Sequence, residues 1–157
     1  MQARTIKREV QRLRAQNLIG GHWHPAGGAR EGDSINPANG REIGTFAAGA
    51  ASDARQAIDA ARRAFERGGL SRDPAQRAAL LLGWADRLAR GAYLAHLLTL
   101  ENGKVLAQSR HEIATAIACL RQHAEQLLQG DSWLAALQPA GVVAIFVPWH
   151  APVALLV

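Results

Sequence analysis

Hydrophobic residues recur at helical spacing through the middle of the chain, and this pattern predicts four helices. The first begins at Ser52 and Asp53, follows the i, i+3, i+4, i+7 pattern of apolar positions, and ends at Gly68-Gly69. The second begins at Asp73-Pro74, because an acidic N-cap followed by proline at the first helical position is a typical helix start. It ends near Gly91.

The third and fourth helices are separated by Asn102-Gly103. The third is predicted from Ala92 to about Glu101, and the fourth is a long helix from Val105 to Gln129. In all four helices the apolar residues define one inward side. Its predicted members are Ala54, Ala57, Ile58, Ala61, Ala64, Phe65, Ala78, Leu81, Leu82, Ala85, Leu88, Leu94, Leu97, Leu98, Ile113, Ala116, Ile117, Leu120, Ala124 and Leu127.

Two short strands are predicted before the helices. Residues 17–23 form the first, which leads to a turn at Gly27-Gly28, and residues 41–46 form the second. Asn39-Gly40 precedes the second strand, and this dipeptide is a strong hairpin signal because both positions tolerate positive φ.

A buried strand is predicted at Val142–Val147, which is an unbroken apolar run rich in β-branched residues. Such a run is typical of a strand that is covered on both faces in a parallel sheet. A parallel strand needs parallel neighbours, and the sequence has no second run of this kind. We therefore expect an α/β fold with an incomplete sheet: a β-hairpin, four helices and one buried parallel strand.

The net charge of +5 is concentrated at the N-terminus. Six basic side chains and one acidic side chain lie in residues 1–30, which therefore account for the whole excess. We expect residues 1–16 to be a basic extension, able to form a helix, and residues 17–157 to be the folded part. No basic stripe with stacking aromatic residues follows, so nucleic-acid binding is not expected.

The remaining composition predicts neither a disulfide, nor a metal site, nor a membrane span. Cys119 is the single cysteine, which suits a reducing compartment, and we expect a cytoplasmic protein. His22 and His24 could lie on one face of a strand, but no third ligand has a recognisable spacing. No apolar run approaches the ~18 residues of a transmembrane helix.

Five segments, in this order, resemble motifs of one family. They are residues 35–45 (INPANGREIGT), 57–65 (AIDAARRAF), 74–81 (PAQRAALL), 100–104 (LENGK) and 141–152 (GVVAIFVPWHAP). Together they resemble the N-terminal part of the NAD(P)-dependent aldehyde dehydrogenases, over roughly residues 17–157. The resemblance implies a Rossmann-type NAD-binding domain, NAD or NADP as cofactor, and oxidation of an aldehyde to a carboxylic acid. It also implies dimers or tetramers, and the chain is identified as a truncated member or fragment.

The resemblance also implies roles for individual residues. Phe146, Val147, Pro148 and Trp149 correspond to a segment that lies against the cofactor. His150 stands where the family has an asparagine whose amide helps to hold the oxyanion. Imidazole can also donate a hydrogen bond, but with a different geometry and pH dependence, so we expect weaker oxyanion stabilisation.

The other catalytic groups of the family lie downstream of the matching segment. These groups are the nucleophilic cysteine, the glutamate base, a lysine that grips the cofactor and a glycine-rich turn. Cys119 lies within a predicted helix and matches no motif, so we expect it to be an inert packed side chain. We therefore expect the 157-residue chain to be inactive by itself.

Two other interpretations stay open at this point. The chain could be a non-catalytic module that pairs with a complete aldehyde dehydrogenase or with the missing remainder of the enzyme, or an adaptor that binds through its basic tail. Glu101 and Lys104 could form an acid–lysine pair, although the end of a helix explains them better. Trp84 and Trp133 are predicted to pack between helices.

Overall fold

The strands all lie in the first part of the computed structural model, which describes residues 13–129 and 137–157. They are β1 (Leu13–Ala15), β2 (Asn17–Ile19), β3 (His22–His24), β4 (Glu31–Ile35) and β5 (Glu42–Ala47). β5 lies at the centre of a three-stranded sheet, with β1 parallel on one side and β4 antiparallel on the other. β2 and β3 form a separate antiparallel pair.

The hairpin predicted around Asn39-Gly40 is confirmed as the β4–β5 pair. Its loop begins at Asn36, whose N–H donates to the carbonyl of Arg41 over 2.9 Å and whose Oδ1 accepts from Ala38 N–H over 2.9 Å. Of the two turn residues only Gly40 has positive φ, at 66°. The loop is longer than a two-residue turn, so only one position requires left-handed backbone.

The single strand predicted over residues 17–23 is wrong in one respect, because this segment folds back on itself. Gly20 and Gly21 have φ values of 61° and 85°, and they connect β2 to β3 as a tight turn. Two consecutive residues with positive φ define the hairpin turn that glycine pairs favour.

Four helices follow, as predicted: α1 (Ala51–Arg67), α2 (Pro74–Arg90), α3 (Leu94–Asn102) and α4 (Leu106–Gln129), with a short 3₁₀ turn at Gly69–Ser71. Asp73 caps α2 by accepting a hydrogen bond of 3.0 Å from Gln76 N–H. Gly103 ends α3 in the left-handed conformation, with φ of 76°.

The core lies mainly between α2 and α4, which make the most extensive contact between elements. Its most deeply buried residues are Ala78, Ala85, Ala116, Leu120 and Ala124, all of which were predicted to face inward. The sheet joins this layer through Ile43 of β5, which packs against Leu97 and Leu100 of α3.

The predicted inward side is wrong at several positions. Leu82 and Trp84 of α2 are exposed, and on α1 the one buried residue is Asp53, whereas Ile58 is exposed. These residues satisfy the helical period, but no element among the described residues covers them. Trp133 lies outside the described residues.

The buried strand predicted at Val142–Val147 is also wrong for this chain. The segment belongs to neither sheet, and Val143, Ile145 and Phe146 are exposed. A parallel strand is stable only beside other strands, and none of the described strands pairs with it.

The N-terminal helix is contradicted where it can be compared with the structure. Leu13–Ala15 form β1, because their backbone pairs with Gly44–Phe46 of β5. Residues 1–12 lie outside the described residues, and the division of the chain at residue 16 stays a prediction.

Candidate functional site

The residues predicted to contact a cofactor lie together on one exposed segment, residues 146–149. Phe146 is 94% exposed and Trp149 is 62% exposed, while Val147 and Pro148 are also exposed. This apolar surface is available to a flat ligand or to another part of a protein. In the described residues it faces no acid, base or nucleophile at hydrogen-bonding distance.

Trp149 borders a cleft of about 670 Å³ between the sheet and α3. The cleft is lined on one side by Ile35, Ile43 and Phe46 of the sheet and on the other by Tyr93 and Leu97. Its polar lining includes the Ser34 hydroxyl, which donates to Glu101 Oε1 over 3.0 Å. The lining is largely apolar, and its charged members are Arg14, Asp33 and Glu101.

His150 is exposed, and its backbone is held by a lysine from the end of α3. Lys104 Nζ donates to the His150 carbonyl oxygen over 2.8 Å and to the carboxylate of Glu112. Glu112 lies on α4, and its Oε1 accepts from the N–H groups of Val153 at 2.8 Å and Ala154 at 3.3 Å. The backbone on both sides of Ala151-Pro152 is thus attached to one ion pair.

The Lys104–Glu112 pair is shielded from solvent, with side chains 15% and 7% exposed. Burial of the carboxylate by itself would raise the pKa of Glu112, but the hydrogen bonds from Lys104, Val153 and Ala154 outweigh this effect. The pKa of Glu112 is therefore lowered. Glu112 is consequently an anion at neutral pH.

A second buried carboxylate, Asp53, lies at the start of α1. It accepts hydrogen bonds of 2.8 Å from Ala50 N–H and from Gly27 N–H. These two backbone bonds, first Ala50 and then Gly27, lower the pKa of Asp53. Its Oδ2 accepts both bonds and therefore connects the loop after β3 to the start of α1, which is a structural role.

The other candidates from the sequence do not form sites. Cys119 is half-buried on α4. The rings of His22 and His24 lie edge to face with centroids 6.5 Å apart. Within residues 13–129 and 137–157, no three metal-ligating side chains come together, and no helix is long and apolar enough to cross a membrane.

Glu112 is a residue of this region that was not predicted from the sequence. Lys104 pairs with Glu112 and not with Glu101, which instead accepts a hydrogen bond from Ser34. One signal was available, since Glu112 lies one turn before Ala116 and two turns before Leu120, on the inward side of α4. A charged residue on an apolar stripe indicates a buried partner.

Comparisons with known proteins identify one family. Residues 23–157 match the sequence profile of the aldehyde dehydrogenase family. Succinate-semialdehyde dehydrogenase [NADP(+)] GabD of Escherichia coli is 34% identical over 156 residues, which are 92% of this chain and 32% of that protein. Aminoacetaldehyde dehydrogenase of Pseudomonas aeruginosa is 36% identical, over 88% of this chain and 31% of that protein.

Solved structures give the same result. An NAD-dependent aldehyde dehydrogenase from Sinorhizobium meliloti superposes with a TM-score of 0.71 at 34% identity, over 76% of this chain and 24% of that one. Betaine aldehyde dehydrogenase from Staphylococcus aureus in complex with NAD⁺ has a TM-score of 0.73 at 30% identity, over 78% of this chain and 25% of that one. The chain thus spans about a third or less of the length of these relatives.

Proposed function

We propose, because the chain belongs to the aldehyde dehydrogenase family, that it forms the N-terminal part of an enzyme that oxidises an aldehyde to a carboxylic acid with NAD or NADP. The match of residues 23–157 to the family carries this proposal. The relatives support either cofactor, since the protein from E. coli is named for NADP⁺ and the S. aureus structure holds NAD⁺.

Residues 146–149 are proposed to form one wall of the cofactor site. The exposed, apolar side chains of Phe146, Val147, Pro148 and Trp149 fit this role, because a flat ring can cover them and exclude water. A nicotinamide cofactor bound against these residues would supply the hydride acceptor for the oxidation. As the family resemblance implies, we expect the groups that bind the cofactor phosphates to lie downstream of the segment that this chain matches.

His150 is proposed to donate a hydrogen bond to the oxyanion that forms on the aldehyde oxygen when a nucleophile adds to the carbonyl carbon. An oxyanion site needs a fixed N–H about 3 Å from the developing charge, and an imidazole N–H can supply it. We expect a weaker effect than that of the family's asparagine. Replacing His150→Asn in a complete enzyme should therefore raise kcat, and an unchanged kcat would contradict the expected weaker stabilisation by histidine.

The 157-residue chain is proposed to be inactive by itself. A covalent mechanism requires a thiolate next to a base and a hydrogen-bond donor, whereas Cys119 is half-buried on α4 and matches no motif of the family. The test is to mix the purified chain with aldehydes and NAD or NADP and to follow absorbance of the reduced cofactor. Aldehyde-dependent reduction by the pure chain would overturn this proposal.

The second candidate function is a non-catalytic module that associates with a second copy or with a complete aldehyde dehydrogenase. The exposed apolar residues at 143–149 favour it, since a large exposed apolar surface is a common site of association. Purification from the native source under mild conditions separates the two candidates. A module co-purifies with a larger chain that does not contain this sequence, whereas the first proposal expects one continuous chain.

The predicted cytoplasmic location also stays a prediction. Imaging of the tagged natural protein tests it directly.

A further inference from the structure

The segment that contains His150 is attached to the helical layer by a buried ion pair rather than by hydrophobic packing alone. Lys104 Nζ holds the carbonyl of His150 at 2.8 Å, and Glu112 Oε1 holds the N–H groups of Val153 and Ala154 at 2.8 and 3.3 Å. The two side chains also bond to each other. Three hydrogen bonds therefore reach residues 150–154 from this pair.

We propose that Lys104 and Glu112 are positioning residues that fix the backbone of residues 150–154, and with it the direction in which the His150 side chain leaves the chain. The assignment of His150 to the oxyanion rests on the function proposed above. The positioning itself rests only on the contacts of this chain.

The chemistry of the pair explains why it can fix a backbone. A carboxylate that accepts two N–H groups and a lysine N–H forms charge-assisted hydrogen bonds, which are about twice as strong as neutral ones. Lys104 follows Gly103, whose left-handed φ of 76° ends α3 and turns the chain toward α4. The backbone of Lys104 is thus positioned by the end of α3. Its ammonium group is positioned by Glu112 and by the carbonyl of His150.

The chain also contains an exposed ion pair for comparison. Arg121 of α4 and Asp86 of α2 approach to 3.3 Å, but their side chains are 51% and 57% exposed, and Asp86 holds no backbone group of residues 150–154. If surface charge alone mattered, the two pairs would behave alike. If positioning matters, only the Lys104–Glu112 pair should affect residues 150–154.

The first test is amide hydrogen exchange, measured by NMR on the 157-residue chain in the wild type and in Glu112→Gln, Glu112→Ala and Asp86→Asn. In both Glu112 variants we expect exchange at Val153 and Ala154 to accelerate on the order of tenfold or more, because each loses a charge-assisted bond. The amides of Leu120 and Ala124 exchange through global unfolding, so they should accelerate only by the loss of global stability, and less than Val153 and Ala154. Asp86→Asn should change none of these four. Unchanged rates at Val153 and Ala154 in a folded Glu112 variant would overturn the proposal.

The second test keeps the proposal falsifiable if the Glu112 variants fail to fold, and it separates positioning from packing. Lys104→Met keeps the length and apolar stem of the lysine but removes its donors, whereas Lys104→Arg keeps a charged donor. We expect the carbonyl carbon signal of His150 to shift in Lys104→Met and to return toward the wild-type value in Lys104→Arg. Equal signals in all three proteins would show that the lysine acts only through packing, which contradicts the proposal.

Neither test contains an aldehyde or a nucleotide. A failure of the proposed aldehyde oxidation therefore leaves their results unchanged. Conversely, loss of the predicted exchange pattern overturns the positioning role without touching the family membership of the chain.

Discussion

The α2–α4 pair and residues 142–149 are both apolar in sequence, but they have opposite environments. Leu120 of α4 is 1% exposed, while Phe146 is 94% exposed. The helices α2 and α4 can cover each other, because both lie within this chain. A parallel strand needs neighbours that come from distant parts of a chain. The apolar character of a segment thus predicts that it is buried in the complete fold. It does not predict which other segment buries it.

The largest effect expected from this comparison is the loss of a core side chain. Leu120→Ala should lower the free energy of unfolding by about 2–5 kcal/mol, because it removes buried methyl groups and leaves a cavity. Leu128 lies on the same helix and is exposed, so Leu128→Ala is the matched control and should stay within about 0.5 kcal/mol. Urea unfolding followed by circular dichroism measures both. Equal losses would contradict the assignment of the core.

The next effect concerns the connection between the two regions. Glu112→Ala leaves Lys104 without its carboxylate and two backbone N–H groups without an acceptor, and it should cost roughly 1–3 kcal/mol. Asp86→Ala removes an exposed pair and should cost less than about 1 kcal/mol. The same urea experiment compares them. A cost for Asp86→Ala that matches the cost for Glu112→Ala would argue against a special role for the buried pair.

The pH dependence of stability follows from the same carboxylate. The pKa of Glu112 is lowered in the folded chain, so its contribution to stability is present above the ordinary glutamate value of 4.5 and is lost as pH falls below it toward the lowered value. Asp53, whose pKa is also lowered, adds to the loss at still lower pH. Urea midpoints measured between neutral and acidic pH should fall less steeply in Glu112→Gln than in the wild type. Parallel curves would contradict the lowered pKa.

A smaller effect is expected at the glycine that precedes Lys104. Gly103→Ala should cost about 1 kcal/mol or more, because φ is 76° and an added Cβ would lie 2.9 Å from Pro37 Cγ. Gly83 is the control, since it lies inside α2 and an added Cβ meets no atom within 4 Å. Gly83→Ala should stabilise the chain by up to about 1 kcal/mol. Thermal unfolding distinguishes the two signs, and stabilisation by Gly103→Ala would refute the left-handed helix end.

The smallest effect is expected in the exposed segment. Phe146→Ser should change the free energy of unfolding by no more than about 0.5 kcal/mol, since the side chain contributes almost no buried area in this chain. The same variant should reduce self-association, measured by analytical ultracentrifugation, because it removes an apolar side chain from an exposed surface. A loss of several kcal/mol would show that Phe146 is buried in solution.

The helices were predictable from sequence because their signals are local. Asp73-Pro74 marks the start of α2, Gly103 marks the end of α3, and the helical period identified Ala116 and Leu120 as buried. The hairpin was predictable for the same reason, through Gly40.

The missed turn at Gly20-Gly21 is a local error, whereas the other errors concern contacts between distant segments. The helical period placed Ile58 on an inward side of α1, but the described residues provide nothing to cover it. Likewise, the attachment of residues 150–154 to Glu112 spans more than forty positions, and no local pattern encodes it. The residues proposed for the site, Phe146 to His150, came from the family resemblance alone, because their chemistry depends on groups outside this segment.

The size of the natural protein tests directly whether this chain is part of a larger aldehyde dehydrogenase. An immunoblot with antibodies raised against residues 53–129, confirmed by mass spectrometry, detects every product that contains the helical layer. We predict that the natural protein is about three times as large as the 16.8 kDa of this sequence, since the sequence spans about a third of the length of its curated relatives. In such a chain, the remaining residues would cover Phe146 and its neighbours. A single product of 16.8 kDa would contradict the account and would favour the non-catalytic module.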